Sequence, residues 1–151
     1  MWKYVSENTT NEISLHDCDC THIFYKRDRI ILEMKWMEIL CSHPQNKYDE
    51  AHQSGAGVIE LIEPQIIECE CEKSGIAESI NELTQLDFTN LEILDFNEIE
   101  YEGGFANNMY MIKSCNEGIY DNVVLNLRYK SSVVKFNELN EVSWFVDFEN
   151  R

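Results

Sequence analysis

The chain has 151 residues, of which 44% are apolar and 11% aromatic, and its formal net charge is −16. This apolar content supports an ordinary buried core and excludes a disordered acidic tail, while the negative charge disfavours binding to nucleic acid or to an anionic membrane surface. We therefore expect a single globular domain over residues 1–151, with no nucleic-acid and no membrane partner.

The acidic residues are concentrated in one stretch. Residues 60–102 carry thirteen Asp and Glu side chains against a single base, Lys73. Aliphatic and aromatic residues are interleaved with these acids, as is typical of folded strands. The sequence therefore predicts a strongly negative face that attracts basic surfaces.

Nothing in the sequence indicates secretion. Residues 1–10 lack the cationic start and the apolar run of a signal peptide, and no apolar segment is long enough to span a membrane. Outside an oxidising compartment, the six cysteines are expected to be free thiols. We expect a cytoplasmic protein.

In the N-terminal third, apolar residues that alternate with period two predict antiparallel strands. Residues 1–5 are a first candidate. Residues 30–36 alternate clearly, and residues 21–25 are expected to pair with them as a hairpin across residues 26–29. The polar residues 42–57 that follow are predicted to form the longest surface loop.

This loop contains His43 and His52, with Asp49 and Glu50 between them. Such side chains can bind a metal ion, but in a surface loop they are usually solvated. We expect solvated side chains here.

The acidic stretch also alternates. Ile67, Cys69 and Cys71 are expected on one face of a strand, and the three glutamates at positions 68, 70 and 72 on the other. Ser74 is then expected to cap a short amphipathic helix. That helix would carry Ile76, Ile80 and Leu83 on one side.

The remaining segments are predicted strands. They are residues 58–63, 91–96, 99–102, 109–115, 123–129, 133–136 and 142–148. Many short strands separated by roughly 8 to 12 residues predict an all-β fold, mainly an antiparallel sandwich or barrel, with at most one or two short helices.

Two Cys-x-Cys pairs, Cys18/Cys20 and Cys69/Cys71, are candidate zinc ligands, because four thiolates form a zinc shell. On an extended strand, however, the Cβ atoms of same-face residues two apart are about 6.5 to 7 Å from each other, too far for both cysteines to bind one metal ion unless a bulge intervenes. We therefore expect these cysteines to be buried packing residues.

His16, Asp17 and Cys18 are the candidates for thiol or metal chemistry. A strand places His16 and Cys18 on one face and Asp17 on the other, which suits a hydrogen-bonded corner better than a nucleophile with its base. A reactive thiolate also needs electropositive surroundings, and these are acidic. No nucleotide-binding, hydrolase or metalloprotease motif occurs in the chain. We assign no catalytic, cofactor-binding or metal-binding residue and expect no cofactor.

The N-terminal part of the chain resembles a group of known proteins. Residues 2–8, the Leu15-His16-Asp17-Cys18 corner and the alternating residues 30–36 look like the start of small β-rich bacterial proteins with a Leu-His-Asp-Cys corner followed by a hairpin. Those proteins are similar in size and acidity to immunity proteins of polymorphic toxin systems, which neutralise a toxin by binding it. The resemblance implies an all-β single domain and a binding role.

The acidic face and the resemblance together predict a binding protein that is not an enzyme, whose partner is a basic protein such as a toxin or nuclease. Two alternatives remain: a small metal-dependent or thiol enzyme that uses the His16/Asp17/Cys18 corner, and a structural or self-assembling module. Because like charges repel, we expect a monomer or a weak homodimer. The residues assigned to partner binding are Glu68, Glu70, Glu72, Glu92, Glu98 and Glu100.

Overall fold

The computed structural model describes residues 1–114 and 118–146, which form an antiparallel β-structure with two short 3-10 turns at Thr10–Glu12 and Leu83–Gln85. The all-β fold class is confirmed. The strands are β1 Tyr4–Glu7, β2 Ile13–Ser14, β3 Cys18–Lys26, β4 Arg29–Met34, β5 Glu38–Ile39, β6 His52–Gln53, β7 Gly57–Ile62, β8 Gln65–Lys73, β9 Ile76–Ser79, β10 Asp87–Tyr101, β11 Gly104–Lys113, β12 Asn122–Tyr129 and β13 Ser131–Phe136.

Ten strands form one sheet in the order β1-β13-β7-β4-β3-β10-β11-β12-β8-β9. Two bends close this sheet into a barrel: β7 is joined to β12 through β4, β3, β10 and β11, and the continuations of these two strands, β8 and β13, pair with β12 and β7. β7 continues into β8 through Glu63 and Pro64, and β12 continues into β13 through Lys130, so that each pair acts as one bent strand. The bends are tied together, because the Lys130 N–H donates to the Ile62 carbonyl at 2.9 Å and the Lys130 ammonium lies 3.6 Å from the Glu63 carboxylate. β1 and β9 are left at the two ends of the sheet.

The inward side chains of this closed sheet form one hydrophobic core. On β12, Val123, Leu125, Leu127 and Tyr129 are buried, as the alternation predicts. Core residues from β3, β4, β7, β8, β10, β11 and β13 pack in the same cluster. Each fully buried aliphatic side chain stabilises the fold by about 1.5 to 3 kcal/mol, so this inward face holds the strands in place.

The predicted hairpin is confirmed as β3 and β4. Its turn consists of only two residues, Arg27 and Asp28, whose φ angles are 51° and 64°. Two positive φ angles are typical of the type I′ turn, whose twist matches that of the flanking strands. Ile30, Leu32 and Met34 are buried, as the alternation predicts.

The helix predicted after Ser74 is wrong. Ser74 and Gly75 have φ angles of 53° and 81° and form a two-residue turn between β8 and β9, so Ile76 begins a strand. A Ser-Gly pair between two alternating segments is a hairpin signal. The helical spacing of the apolar residues that follow is therefore fortuitous.

Bulges in β8 and β10 change which side chains point outward. In β10 the pairing passes from Ile93 opposite Met111 to Asp95 opposite Tyr110, which leaves Leu94 as an extra residue. In β8, Ile67 is the extra residue, and its side chain is 56% exposed. The prediction that Ile67 shares the buried face of Cys69 and Cys71 is therefore wrong. The predicted strands at residues 91–96 and 99–102 are parts of the single strand β10.

The polar residues 42–57 are only partly a surface loop: residues 47–50 are exposed, as predicted, but His43 and His52 are buried and not solvated. His43 is 1% exposed, and its Nε2 lies 3.1 Å from the Ser6 hydroxyl oxygen. Burial lowers the pKa of His43. The buried Asn46 amide donates to three backbone carbonyls, those of Ile39, Leu40 and Glu50. The His43 contact attaches the segment to β1, and the Asn46 bonds attach it to the end of β5 and to its own backbone.

Other boundaries differ by smaller amounts. The first strand is Tyr4–Glu7 and not residues 1–5, while β7 and β13 match their predictions closely. In the predicted strand 142–148, Val142 makes an isolated bridge with His52, and residues 147 and 148 lie outside the described residues, as does Cys115. No helix within residues 1–114 and 118–146 has the length and apolar character needed to cross a membrane.

Candidate protein-binding face

A patch of carboxylates covers the outer surface of strands β3, β8, β10, β11 and β12. Residues directly opposite each other in antiparallel strands point to the same side, so the register arranges the outward side chains in rows. The rows are Glu72-Asn122-Ile112-Glu92-Asp19, Glu70-Val124-Tyr110-Asp95 and Glu68-Asn126-Asn108-Asn97. We call the carboxylates of these rows the acidic face: Asp19, Glu68, Glu70, Glu72, Glu92 and Asp95.

The centre of the acidic face is apolar. Tyr110, Ile112 and Val124 occupy neighbouring positions on β11 and β12 and are half-buried. Glutamates from β8 flank them on one side, and Glu92 and Asp95 from β10 flank them on the other. An apolar and aromatic centre with a charged rim is the arrangement found in many protein–protein interfaces.

The carboxylates of this face are not neutralised within the described part of the chain. None of the ion pairs there involves a member of the acidic face, whereas Glu60, on the opposite half of the barrel, is paired with both Arg29 at 3.3 Å and Lys135 at 2.9 Å. Within residues 1–114 and 118–146, the hydrogen-bond partner of Glu68 is neutral, the Asn126 amide, at 3.3 Å. The negative field of the face is therefore open to a partner.

Like charges crowd the edge of the face near β3. The pKa of Glu92 is raised by partial burial and by the neighbouring carboxylates of Asp17 and Asp19. Such a site favours the approach of a positive charge, because a cation offsets the repulsion among the three acids.

The structure brings together four of the six glutamates assigned to partner binding and separates the other two. Glu98 and Glu100 follow the Leu94 bulge, which turns them to the inner side of β10, opposite Asn107 and Phe105. The Glu98 carboxylate accepts hydrogen bonds from the Thr10 and Tyr129 hydroxyls. Burial, and then this hydrogen bond, raise the pKa of Tyr129. The Glu98 carboxylate is therefore bound to side chains of the same chain. The Glu100 side chain is exposed, but it is not on the same side of the sheet as the acidic face.

Sequence reasoning missed two members of the face, Asp19 and Asp95. Asp19 lies between two cysteines that were expected to be buried, so strict alternation along β3 could have assigned it outward. Asp95 points outward only because Leu94 is bulged. A sequence pattern carries no such signal, since the bulge is a property of the pairing with β11.

The His16/Asp17/Cys18 corner does not pair a nucleophile with a base. The positive φ of Asp17, 63°, turns the chain so that the His16 side chain is exposed and Cys18 is buried. His16 Nδ1 contacts the Leu94 carbonyl at 2.6 Å, and the Cys18 thiol contacts the carbonyls of Ser14 and His16. Burial, reinforced by the charge of Glu38, raises the pKa of the Cys18 thiol. A buried thiol with a raised pKa is a poor nucleophile.

All four cysteines of the two Cys-x-Cys pairs are buried. Cys69 and Cys71 have their sulfur atoms 3.9 Å apart, and the hydrogen bond between them, together with burial, raises the pKa of the Cys69 thiol. Burial raises the pKa of Cys20 to about 12. Within residues 1–114 and 118–146 no group of three or more His, Cys, Asp or Glu side chains is arranged to hold a metal ion.

Thiol labelling tests this assignment. Among the described cysteines only Cys41 is exposed. We expect iodoacetamide at neutral pH to modify Cys41 rapidly and Cys18 at least about a hundredfold more slowly, because burial shields the Cys18 sulfur and raises its pKa, which leaves little reactive thiolate. Peptide mapping by mass spectrometry, with and without denaturant, measures both rates. Rapid labelling of Cys18 in the folded protein would favour the thiol-enzyme alternative.

Comparison with known proteins finds no matching family model, no matching curated protein and no matching solved structure. The geometry and charge of the acidic face are therefore the basis for a functional proposal.

Proposed function

We propose that this chain is a cytoplasmic binding protein of the immunity type, which neutralises a basic partner such as a toxin or a nuclease by covering a basic surface with the acidic face. The observation that carries the proposal is the set of carboxylates without ion-pair partners among the described residues, arranged around Tyr110, Ile112 and Val124.

The two parts of the face have different roles in the proposal. The carboxylates attract a basic surface from a distance and raise the association rate by 10- to about 1,000-fold at low salt. Tyr110 and its apolar neighbours become buried on contact and slow dissociation, as aromatic anchors at interface centres do. A partner that is basic around an apolar depression fits both parts.

The resemblance at the N-terminus supports the same proposal. Its Leu-His-Asp-Cys corner borders the acidic face, because His16 contacts the carbonyl of the bulged Leu94 and the charge of Asp17 acts on Glu92. The segment that resembles immunity-type proteins and the face proposed to bind therefore adjoin each other.

The other two functions have less support. The enzyme alternative lacks a nucleophile–base pair at the His16/Asp17/Cys18 corner, because the His16 side chain is exposed and the Cys18 thiol is buried. A self-assembling module has the terminal strands β1 and β9 in its favour. However, β9 lies beside the acidic face, so two copies that approach through it repel each other.

The gene adjacent to the one that encodes this chain provides the test. We expect it to encode a secreted protein with a basic domain that inhibits growth when expressed in a bacterial cytoplasm. Co-expression of this chain should restore growth, and sedimentation of the two purified proteins should show a 1:1 complex. A toxic domain whose activity is unaffected by the chain, or a neighbour without toxicity, would contradict the proposal.

A further inference from the structure

β9 is an open strand at the end of the sheet, next to the acidic face. All four of its residues are exposed. The Ile80 N–H donates to the Cys69 carbonyl at 3.0 Å, so these two residues are a hydrogen-bonded pair. Every second pair along β9 and β8 is therefore also hydrogen-bonded, and the pairs that contain Ala77 and Ser79 are not. Because backbone groups alternate in direction along a strand, those of Ala77 and Ser79 point away from β8. Two N–H and two C=O groups are thus presented at this edge.

The strand at the other end of the sheet is not equally open. The Gln45 side chain donates a hydrogen bond to the Val5 carbonyl of β1 at 3.0 Å. No described residue bonds to the backbone groups of Ala77 or Ser79 in this way. An edge with unpaired backbone groups is a template on which a further strand can pair.

The outward side chains of β9 are small and lie next to the acidic face. Ala77 lies beside Glu72, and Ser79 lies beside Glu70. A strand added to β9 would lie about 10 Å from β8, since neighbouring strands are separated by about 4.8 Å. A Lys or Arg side chain on that strand can extend across Ala77 or Ser79 to a carboxylate of β8, because neither small side chain blocks it.

The inner side of β9 carries Ile76 and Glu78 and borders an open pocket. Ile76 is 74% exposed and lines a pocket of about 320 Å³ together with Lys73, Ser74, Glu78 and Tyr120. The Tyr120 hydroxyl donates to the Glu78 carboxylate at 2.5 Å, which holds the aromatic ring at the edge. An apolar side chain of an added strand would be accommodated here.

We propose that β9 receives an extended segment of the partner by strand addition. The segment has basic side chains at the positions opposite Ala77 and Ser79, which reach Glu72 and Glu70. Between them, opposite Glu78, it has an apolar side chain that extends along the strand into the pocket beside Ile76 and Tyr120. This inference rests on the proposed function and specifies how the basic partner is recognised. Charge complementarity selects a basic segment over a second copy of β9, which would bring the glutamates of β8 and β9 of both copies together.

The probe is a labelled, end-capped octapeptide of alternating lysine and valine, measured by fluorescence anisotropy at low ionic strength. We expect it to bind the wild-type protein and to bind Ala77→Pro at least tenfold more weakly. Proline at this position removes an outward N–H and leaves the bonds to β8 intact. The matched control is Ala77→Ser, which keeps the N–H and should bind as the wild type does. Thermal unfolding checks that both variants fold.

A second peptide separates strand addition from simple charge attraction. It has four consecutive lysines followed by four valines, and we expect it to bind at least tenfold more weakly than the alternating peptide. Hydrogen exchange should also slow at the Ala77 and Ser79 amides only with the alternating peptide. Equal binding of both peptides, or an unchanged affinity of Ala77→Pro, would overturn strand addition.

The failure of this inference is distinguishable from the failure of the proposed function. One outcome is a partner that binds Ala77→Pro as it binds the wild type, but fails to bind a variant in which the charges of the acidic face are reversed. That result would exclude strand addition at β9 and support binding through the acidic face. Another outcome is sedimentation, without peptide, in which the wild type is a dimer and Ala77→Pro is a monomer. In that case β9 would pair with β9 of a second copy, and the proposed basic segment would be ruled out as its occupant.

Discussion

Replacement of Glu68, Glu70 and Glu72 together by lysine is expected to abolish capture of the basic partner. The three carboxylates project from the outer side of β8 without an ion pair among the described residues. Close charge pairs across interfaces contribute about 1.5 to 7 kcal/mol each, and reversal replaces attraction by repulsion. We expect a loss of at least about 4 kcal/mol, which is about a thousandfold in Kd.

The measurement is surface plasmon resonance with the toxic domain encoded by the neighbouring gene, at low and moderate ionic strength. The matched control is Glu7→Lys/Glu50→Lys/Glu138→Lys, which changes the net charge equally at exposed positions outside the acidic face. We expect this control to lose less than about tenfold in affinity, mainly through slower association. Equal losses in both triple variants would show that net charge, and not the acidic face, determines binding.

The substitution Gly104→Ala is expected to destabilise the fold strongly. Gly104 begins β11 with a φ of 142°, and a Cβ atom there would lie 2.7 Å from the Tyr129 carbonyl oxygen. That oxygen belongs to the backbone of β12, so it cannot rotate away. A non-glycine residue in this region of φ costs of order 1 to 3 kcal/mol before the clash is counted. We expect the unfolding free energy to fall by at least about 2 kcal/mol and Tm by about 5 °C.

Thermal and urea unfolding measure this loss. The matched control is Gly55→Ala, whose φ is not positive and whose added Cβ would meet only the Glu138 side chain at 3.4 Å. We expect the control to change stability by less than about 0.5 kcal/mol. Because the hairpin that Gly104 closes carries Asp95 and Tyr110, Gly104→Ala should also weaken partner binding. Unchanged stability of Gly104→Ala would contradict the close approach of β11 to β12.

Local alternation was sufficient to predict much of the fold. Period-two patterns identify β4, β8 and β12, and the burial of Cys69 and Cys71 opposite three outward glutamates follows from the same pattern. In a sheet with one buried side, the side-chain period alone assigns the two faces. The hairpin of β3 and β4 was also predictable, since its strands are adjacent in the chain.

Alternation gives the wrong face where a β-bulge places an extra residue in one of two paired strands. Glu92, Glu98 and Glu100 have the same parity in the sequence, yet Glu92 is on the outer side of β10 and the other two are on the inner side. The prediction that His43 is solvated is wrong for a different reason. It lies in a polar segment, but its contact with Ser6 buries it through a partner that is distant in the sequence.

The sequence by itself determined the strand content, the net charge and the outward position of Glu68, Glu70 and Glu72, because these depend on local alternation and composition. Only the tertiary structure decided that Asp19 and Glu92 are neighbours, that Tyr110 is at the centre of the acidic face and that β9 is an open edge. The physical reason is that register, bulges and edges are properties of pairs of strands. They arise from hydrogen bonds and packing between segments far apart in the chain, which no single segment specifies.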